Sequence, residues 1–234
     1  MKIYRFSQID STNDFIRKNI NKIEIPSIVI AKTQEKGRGR FGRLWASPVG
    51  GLYFSLVTEW KGPPLPFIVP VAISDILSGV GVNVSIRWPN DIFFKKKKLG
   101  GILIEAASGK MIIGIGINVN NRVENLPEVL REKSISLIEI KEQQYILEEM
   151  ALKISNKILK LQYSKRENIL SRYIKKLEGI GGKCEIQQGT KLIKGTIEGV
   201  DINGRLILIV NGKKNIIHSG AVKRLGASRV STDP

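Results

Sequence analysis

The fold is set by residues 85–119, which read SIRWPNDIFFKKKKLGGILIEAASGKMIIGIGINV. Strand-like runs occupy 85–88, 92–95, 99–105 and 111–119, and only short turns separate them. Parallel neighbours need a crossover of about a dozen residues, so these runs must pair antiparallel. The stretch therefore predicts an α+β fold with a mixed, mainly antiparallel sheet flanked by helices.

The segments before this stretch extend the same plan. Strands are predicted at 2–6, 28–32 and 51–58. A helix begins after Ser11, because a serine followed three positions later by Asp14 resembles a capping box. A second, mostly apolar helix is predicted at 67–77. This helix tolerates Pro70 only if the proline falls in its first turn.

After residue 140 the pattern becomes helical and then changes again. Apolar residues spaced three or four apart over 142–177 predict two helices that pack on the core. Short strands divided by Gly and Asn turns follow the sequence GIGG at 179–182, and they predict a small β-barrel. We expect a catalytic domain over 1–178, a C-terminal barrel over 179–226 and a disordered tail over 227–234.

Composition limits the class of protein. The chain has 38 Lys+Arg against 21 Asp+Glu, a formal net charge of +17, which suggests an acidic partner or phosphate ligands. Cys184 is the only cysteine and His218 the only histidine, which excludes disulfides within the chain and clusters of Cys or His around a metal. The N-terminus is polar, and no run approaches the roughly 20 apolar residues of a membrane span. We expect a cytoplasmic protein with no membrane contact.

The most unusual segment is EKGRGRFGR at 35–43, where glycines alternate with Arg38, Arg40 and Arg43. Glycines let the backbone approach a ligand, and guanidinium groups match the geometry of phosphate and carboxylate. A solvated basic loop, or a disordered segment that coats nucleic acid, would have the same composition. The position between two predicted strands favours an anion site in a folded domain.

Three weaker signals follow in the fold-setting stretch. Asn90 and Asp91 come just after a strand, where functional side chains often project, although Pro-Asn-Asp is also an ordinary turn. The lysine run at 95–98 suits a solvated hairpin tip, and Lys98 is the candidate ligand because two glycines follow it. Glycines at 114 and 116 weaken a strand unless a ligand or a packed side chain passes close by.

In this order, the segments resemble the biotin protein ligase family. The resemblance rests on STN (11–13), GRGRFGRLW (37–45), WPND (88–91), KLGGILIE (98–105) and GIGINVN (114–120). It covers about residues 4–225. It implies a class II synthetase-like catalytic domain followed by a Src-homology-like β-barrel.

The resemblance also implies an activity. Biotin protein ligases use ATP to attach biotin to a specific lysine of a biotin carboxyl carrier protein, through biotinyl-5′-AMP. ATP and biotin are then the substrates, and Mg²⁺ is expected with ATP, with protein ligands that the sequence does not assign. The catalytic pattern begins near residue 4, so we expect a stand-alone ligase without specific DNA binding, and the family suggests a homodimer. The net charge would steer an acidic carrier domain to the enzyme.

The family match assigns roles residue by residue. It makes Lys98, Arg38 and Asp91 catalytic: Lys98 and Arg38 contact the carboxylate and the α-phosphate, and Asp91 orients or deprotonates the acceptor lysine. Lys97 is the alternative to Lys98, because both belong to the lysine run. Biotin would be bound by Ser11, Thr12, Gln34, Gly37, Arg38, Gly101, Gly114 and Ile117. ATP or the adenylate would be bound by Arg40, Arg43, Trp45, Asn90, Lys98 and Asn118.

Two other functions stay open at this stage. A lipoyl or octanoyl ligase would share the fold, but it would need an elongated apolar channel and would not need Gln34 or Ser11. A nucleic-acid-binding protein would use residues 35–43, the Gly-Arg loop, on backbone phosphates. It would be expected to expose more aromatic side chains among its basic residues.

Overall fold

A seven-stranded sheet forms the larger part of the protein in this computed structural model, which describes residues 1–226. The spatial order of its strands is β1-β2-β3-β7-β6-β5-β4. The last four strands pair antiparallel in sequence order, which confirms the prediction for residues 85–119. The strands are β1 (Lys2–Ile9), β2 (Ser27–Gln34), β3 (Leu52–Thr58), β4 (Ser85–Arg87), β5 (Asp91–Phe94), β6 (Lys97–Ala107) and β7 (Lys110–Ile117).

One parallel pair makes the sheet mixed. β1 and β2 run parallel, and helix α1 (Thr12–Lys18) crosses between them. The hydroxyl of Ser11 accepts a hydrogen bond from the backbone N–H of Asp14 and caps α1, as the sequence predicts. β3 then pairs antiparallel with β7, which brings the N-terminal strands against the stretch that sets the fold.

Helices cover one face of the sheet and enclose the main core. The principal ones are α2 (Leu65–Ser78), α5 (Leu147–Leu161) and α6 (Arg166–Ile174), and all three contribute buried residues to this core. Two short helices, α3 (Glu128–Arg131) and α4 (Leu137–Lys141), were not predicted. The prediction for Pro70 is wrong, because this proline lies in the second turn of α2. The helix continues through it without one backbone hydrogen bond, and Pro70 itself is buried.

Asp75 of α2 ties three helices together. Its carboxylate lies 2.8 Å from Lys157 Nζ on α5 and 2.5 Å from Arg172 Nη2 on α6. Burial alone would raise the pKa of Asp75, but the hydrogen bonds and charges of these two cations outweigh it and hold the pKa below its ordinary value of 3.8. The two ion pairs therefore stabilise the fold only while the Asp75 carboxylate is ionised.

We predict that Asp75→Asn lowers the free energy of unfolding by about 1 kcal/mol at neutral pH. The pKa of Asp75 is lower in the folded protein than its ordinary value. The stabilisation is therefore fully present above pH 3.8 and is lost as the pH falls through the folded pKa. Urea unfolding over a pH series measures the difference in free energy of unfolding between the wild type and the variant. This difference should disappear at acidic pH. Glu149→Gln is the control, because it breaks a more exposed pair with Lys153. A gap that stays constant into acid would contradict the prediction.

The C-terminal strands form a second, five-stranded antiparallel sheet. Its order is β11-β10-β9-β8-β12, so β11 and β12 are its edge strands, and closure into a barrel stays a prediction. The strands are β8 (Lys183–Gln188), β9 (Lys191–Val200), β10 (Leu206–Val210), β11 (Lys213–Ile217) and β12 (Ala221–Leu225).

The second sheet contacts the first near the WPND segment. The indole N–H of Trp88 donates to the carbonyl of Gly204 at 2.9 Å, and Arg40 Nη1 lies 3.3 Å from the carbonyl of Gly220. The predicted disordered tail, 227–234, lies outside the described residues. Within residues 1–226, no helix combines the length and the apolar character that crossing a membrane requires.

Candidate active site

One cavity of about 230 Å³ collects nearly all of the predicted site residues. The Gly-Arg loop contributes one part of its lining, and β6 and β7 contribute another. Four of the lining side chains are cations, and only one is a carboxylate, so the cavity favours an anionic ligand. The predicted residues that line it are Ser11, Thr12, Gln34, Arg38, Arg40, Arg43, Trp45, Asn90, Asp91, Lys98, Gly101, Gly114 and Asn118.

Uncharged polar groups are linked in one part of this lining. Gln34 Oε1 accepts a hydrogen bond from the backbone N–H of Thr12 at 2.9 Å, and Gln34 Nε2 donates to Ser47 Oγ at 3.0 Å. Ser55 Oγ lies 2.7 Å from Thr12 Oγ1 and 2.5 Å from Asn13 Oδ1. These contacts fix the Gln34 and Thr12 side chains, which suits a neutral ligand group with both donors and acceptors.

The Gly-Arg loop is closed by its own backbone. Gly39 N–H donates to the carbonyl of Arg43 at 2.7 Å, and Trp45 N–H donates to the carbonyl of Gly37 at 2.8 Å. Between them, Phe41 has a φ of 58° and Gly42 a φ of 69°, which turns the chain sharply. The turn presents the arginines at 38, 40 and 43 to a single cavity.

Arg38 and Arg40 have different surroundings. Arg38 binds Asp14 through two nitrogens, Nε at 3.0 Å and Nη2 at 2.6 Å. Arg40 Nη1 lies 3.4 Å from Asn90 Oδ1, and burial lowers the pKa of Arg40, with Asp91 opposing the shift and Arg43 adding to it. A guanidinium stays charged even when its pKa is lowered. Arg40 is therefore a partly buried cation beside the WPND segment.

Lys98 and Asp91 form an ion pair in the cavity, with 2.8 Å between Nζ and Oδ1. The same ammonium lies 5.2 Å from the centre of the Trp45 ring, within reach of a cation–π interaction. Asn90 Nδ2 donates to the carbonyl of Ile102 at 2.8 Å, so the turn before Asp91 is pinned to β6. Lys98 already has an anionic neighbour, which a phosphate would have to displace.

The strand glycines make room for side chains of the protein itself. A Cβ on Gly116 would lie 2.6 Å from the Trp45 ring, and a Cβ on Gly101 would lie 3.0 Å from it. A Cβ on Gly114 would collide with the amide of Asn13. The sequence allowed a ligand or a packed side chain as the reason for glycines at 114 and 116. The structure shows packed side chains at both positions, and both glycines also line the cavity.

Two residues predicted to contact biotin, Ile117 and Gly37, do not line the cavity, and their contacts with biotin stay predictions. Ile117 is completely buried in the main core, because it alternates with Gly116 along β7 and its side chain points to the opposite face of the sheet. A Cβ on Gly37 would lie 2.5 Å from the Trp45 carbonyl oxygen, 2.9 Å from Ser47 Oγ and 3.1 Å from Gln34 Nε2. Asn118 lines the cavity, but its Nδ2 donates to the carbonyl of Ile135, so its predicted contact with nucleotide stays a prediction.

Several polar residues beside the cavity were not assigned a role from the sequence. Glu105 accepts a hydrogen bond from Asn13 Nδ2 at 2.8 Å and lies 3.2 Å from Arg38 Nη2. A charged residue near the end of an apolar strand was a signal for Glu105, and Asn13 stood in the STN motif. Ser47 and Ser55 gave no such signal.

The comparisons with known proteins agree with this geometry. A family model described as the biotin/lipoate A/B protein ligase family matches residues 5–121, which is half of the chain. The chain belongs to this family. The family assignment predicted from the motifs is confirmed.

Named relatives lie on the biotin side of the biotin/lipoate ligase family. The bifunctional ligase/repressor BirA of Escherichia coli (strain K12) is 31% identical over 220 residues, 87% of this chain and 68% of that protein. The biotin–[acetyl-CoA-carboxylase] ligase of Mycobacterium tuberculosis is 24% identical over 237 residues, 94% of this chain and 87% of that one. These relatives confirm the prediction of an enzyme of the biotin–protein ligase kind.

A solved structure supports the fold of this family member. Biotin protein ligase from Aquifex aeolicus, in complex with biotin and ATP, superposes with a TM-score of 0.84 at 28% identity. The match covers 95% of this chain and 97% of that chain. The predicted mixed sheet with flanking helices is confirmed, and the match extends into the C-terminal sheet.

Proposed function

We propose that this enzyme attaches biotin to a specific lysine of a biotin carboxyl carrier protein, using ATP and passing through biotinyl-5′-AMP. One observation carries the proposal: a single cavity joins a network of amide and hydroxyl groups to a group of four cations. Biotin has the matching halves, a neutral ureido ring and a carboxylate. The Aquifex aeolicus relative, which binds biotin and ATP, supports the same ligands here.

In the first step, a carboxylate oxygen of biotin attacks the α-phosphorus of ATP. A new P–O bond forms, the bond to the β-phosphate breaks, and pyrophosphate leaves. The reaction brings two anions together, so cations that meet the growing negative charge lower the barrier. Arg38 and Lys98 would contact the carboxylate and the α-phosphate, while Arg40 and Arg43 would hold the other phosphate oxygens. Gln34, Thr12 and Ser11 would bind the ureido ring.

In the second step, the neutral amine of the acceptor lysine attacks the carbonyl carbon of biotinyl-AMP. The amide bond forms, AMP leaves, and the amine loses a proton. Asp91 would orient that amine and take the proton. Its present partner is Lys98, at 2.8 Å. When Lys98 moves to the phosphate in step one, Asp91 becomes available for step two.

Magnesium would enter with the nucleotide. Among residues 1–226, no group of three or more His, Cys, Asp or Glu side chains is arranged to hold a metal ion. The cavity itself offers one carboxylate, Asp91. Mg²⁺ keeps several waters and prefers phosphate oxygens with few protein ligands, so a site of this composition fits a metal held mainly by ATP.

Calorimetry with biotin, lipoate and ATP tests the proposal, followed by mass spectrometry for biotinyl-AMP and for an acceptor domain that gains one biotin. We expect biotin to bind. The adenylate should form only when ATP and Mg²⁺ are both present. Binding of lipoate in preference to biotin would indicate a lipoyl ligase. Tight, salt-sensitive binding of nucleic acid without any biotin binding would indicate the nucleic-acid-binding alternative.

A further inference from the structure

Four charged side chains form a closed ring beside the cavity. Arg17 and Arg38 each contact both Asp14 and Glu105. The Asp14 carboxylate lies 2.7 Å from Arg17 Nη1 and 2.6 Å from Arg38 Nη2. Glu105 pairs with Arg17 Nη2 and lies 3.2 Å from Arg38 Nη2. Two cations thus balance two carboxylates, and the side chains are only 20% to 39% exposed.

The ring fixes which edge of Arg38 is left for a ligand. Its Nε and Nη2 donate to Asp14, and Nη2 also reaches Glu105. Within the described part of the chain, Nη1 of Arg38 has no hydrogen-bond partner. A guanidinium is planar and rigid, so engaging one edge orients the other. The Nη1 edge is the one that an incoming anion would meet.

Of the four residues in the ring, Arg38 alone lines the cavity, and Arg17 belongs to no motif used above. It comes from the last turn of α1, and its contacts in the ring are with the two carboxylates. Without it, Arg38 alone would face two carboxylates, and the ring would carry a net negative charge next to the anion site. That extra charge would oppose a carboxylate ligand and spare a neutral one.

We propose that Arg17 is a positioning residue that keeps the charge of Arg38 available to an anionic ligand by neutralising the second carboxylate of the ring. The inference rests on the proposed function, because it takes biotin as the anionic ligand. It assigns to Arg17 a part in distinguishing a free carboxylate from an uncharged analogue. Asp14 and Glu105 hold Arg38 in place, and Arg17 prevents them from cancelling its charge.

The test compares biotin with biotinamide, its neutral amide, by calorimetry on the full chain at neutral pH. Arg17→Met keeps an apolar stem and removes the charge. We expect it to weaken biotin about fivefold, the scale of a partly exposed charge interaction, while biotinamide binds as it does to the wild type. Lys18→Met is the matched control. It removes the same charge from the adjacent, exposed position of α1 and should change neither affinity.

A second variant separates charge balance from shape. Adding Asp14→Asn to Arg17→Met restores a neutral ring, keeps an oxygen acceptor for Arg38, and should return biotin affinity to within about twofold of the wild type. Equal weakening of biotin and biotinamide, absence of rescue in the double variant, or unchanged biotin affinity in Arg17→Met would each overturn the role of Arg17. A wild-type chain that binds no biotin would overturn the proposed function as well, so the two failures are distinguishable.

Discussion

Lys98→Ala should slow formation of the adenylate by about a hundredfold or more, because one well-placed charge that meets a developing anion contributes about 3 kcal/mol or more. Biotin affinity should change far less, since the ureido ring is bound by other groups. Two backbone hydrogen bonds to a neighbouring segment hold Lys98. Its N–H donates to the Lys133 carbonyl at 2.7 Å, and its carbonyl accepts from the Ile135 N–H at 3.0 Å. Substitution therefore removes the ammonium without moving the strand.

Lys97→Ala is the control for this experiment. Lys97 is exposed and does not line the cavity, while the side chain of Lys98 does. Single-turnover release of pyrophosphate measures the chemical step, and calorimetry measures biotin affinity separately. Normal chemistry in Lys98→Ala together with slow chemistry in Lys97→Ala would transfer the role to the neighbour, the alternative that the lysine run left open in the sequence.

Local sequence was enough to predict the strand pairing in the half of the sheet formed by consecutive strands. Strands β4 to β7 pair in sequence order, and the short turns between them leave no room for another arrangement. The β3–β7 pairing joins residues more than fifty positions apart, and nothing in either strand specifies its partner. The short helices at 128–131 and 137–141 have too few turns to show a periodic pattern.

In the site, too, local sequence could name motif residues but could not show which distant residues contact one another. Arg38 and Lys98, which line the cavity, could be named in advance because the resemblance points to individual positions. Ile117 does not line the cavity, because side chains alternate along β7 and that of Ile117 lies in the main core. Its contact with biotin stays a prediction. The contact of Asn13 with Glu105 spans 92 positions in the sequence, so only the folded chain brings the two together.

Gly114→Ala should damage both stability and biotin binding, although the new side chain is a single methyl group. The added Cβ would collide with Asn13 Oδ1 and lie 3.0 Å from Asn13 Cγ. Asn13 is buried and cannot swing away freely, because Ser55 and Glu105 hold its amide. Overpacking of this kind costs about 1–3 kcal/mol. Alanine in a strand is otherwise more stabilising than glycine. A loss of stability would therefore be caused by the collision with Asn13.

The effect on binding follows from the hydrogen bonds beyond Asn13. Ser55 joins Asn13 to Thr12, and Thr12 binds Gln34, so displacing Asn13 disturbs the groups proposed to hold the ureido ring. We expect biotin affinity to fall about tenfold or more, as when a buried polar partner is lost. Thermal unfolding and calorimetry measure the two effects on the same sample.

The double variant Asn13→Ser with Gly114→Ala separates space from hydrogen bonding. Serine frees the volume that the methyl group needs, so stability should recover in part, but it cannot span the distance to both Ser55 and Glu105. Biotin affinity should therefore stay low. Recovery of both properties would show that only the collision mattered. Wild-type binding in Gly114→Ala itself would show that the position of Asn13 does not govern the ureido end of the cavity, and that Thr12 and Gln34 are held in place without it.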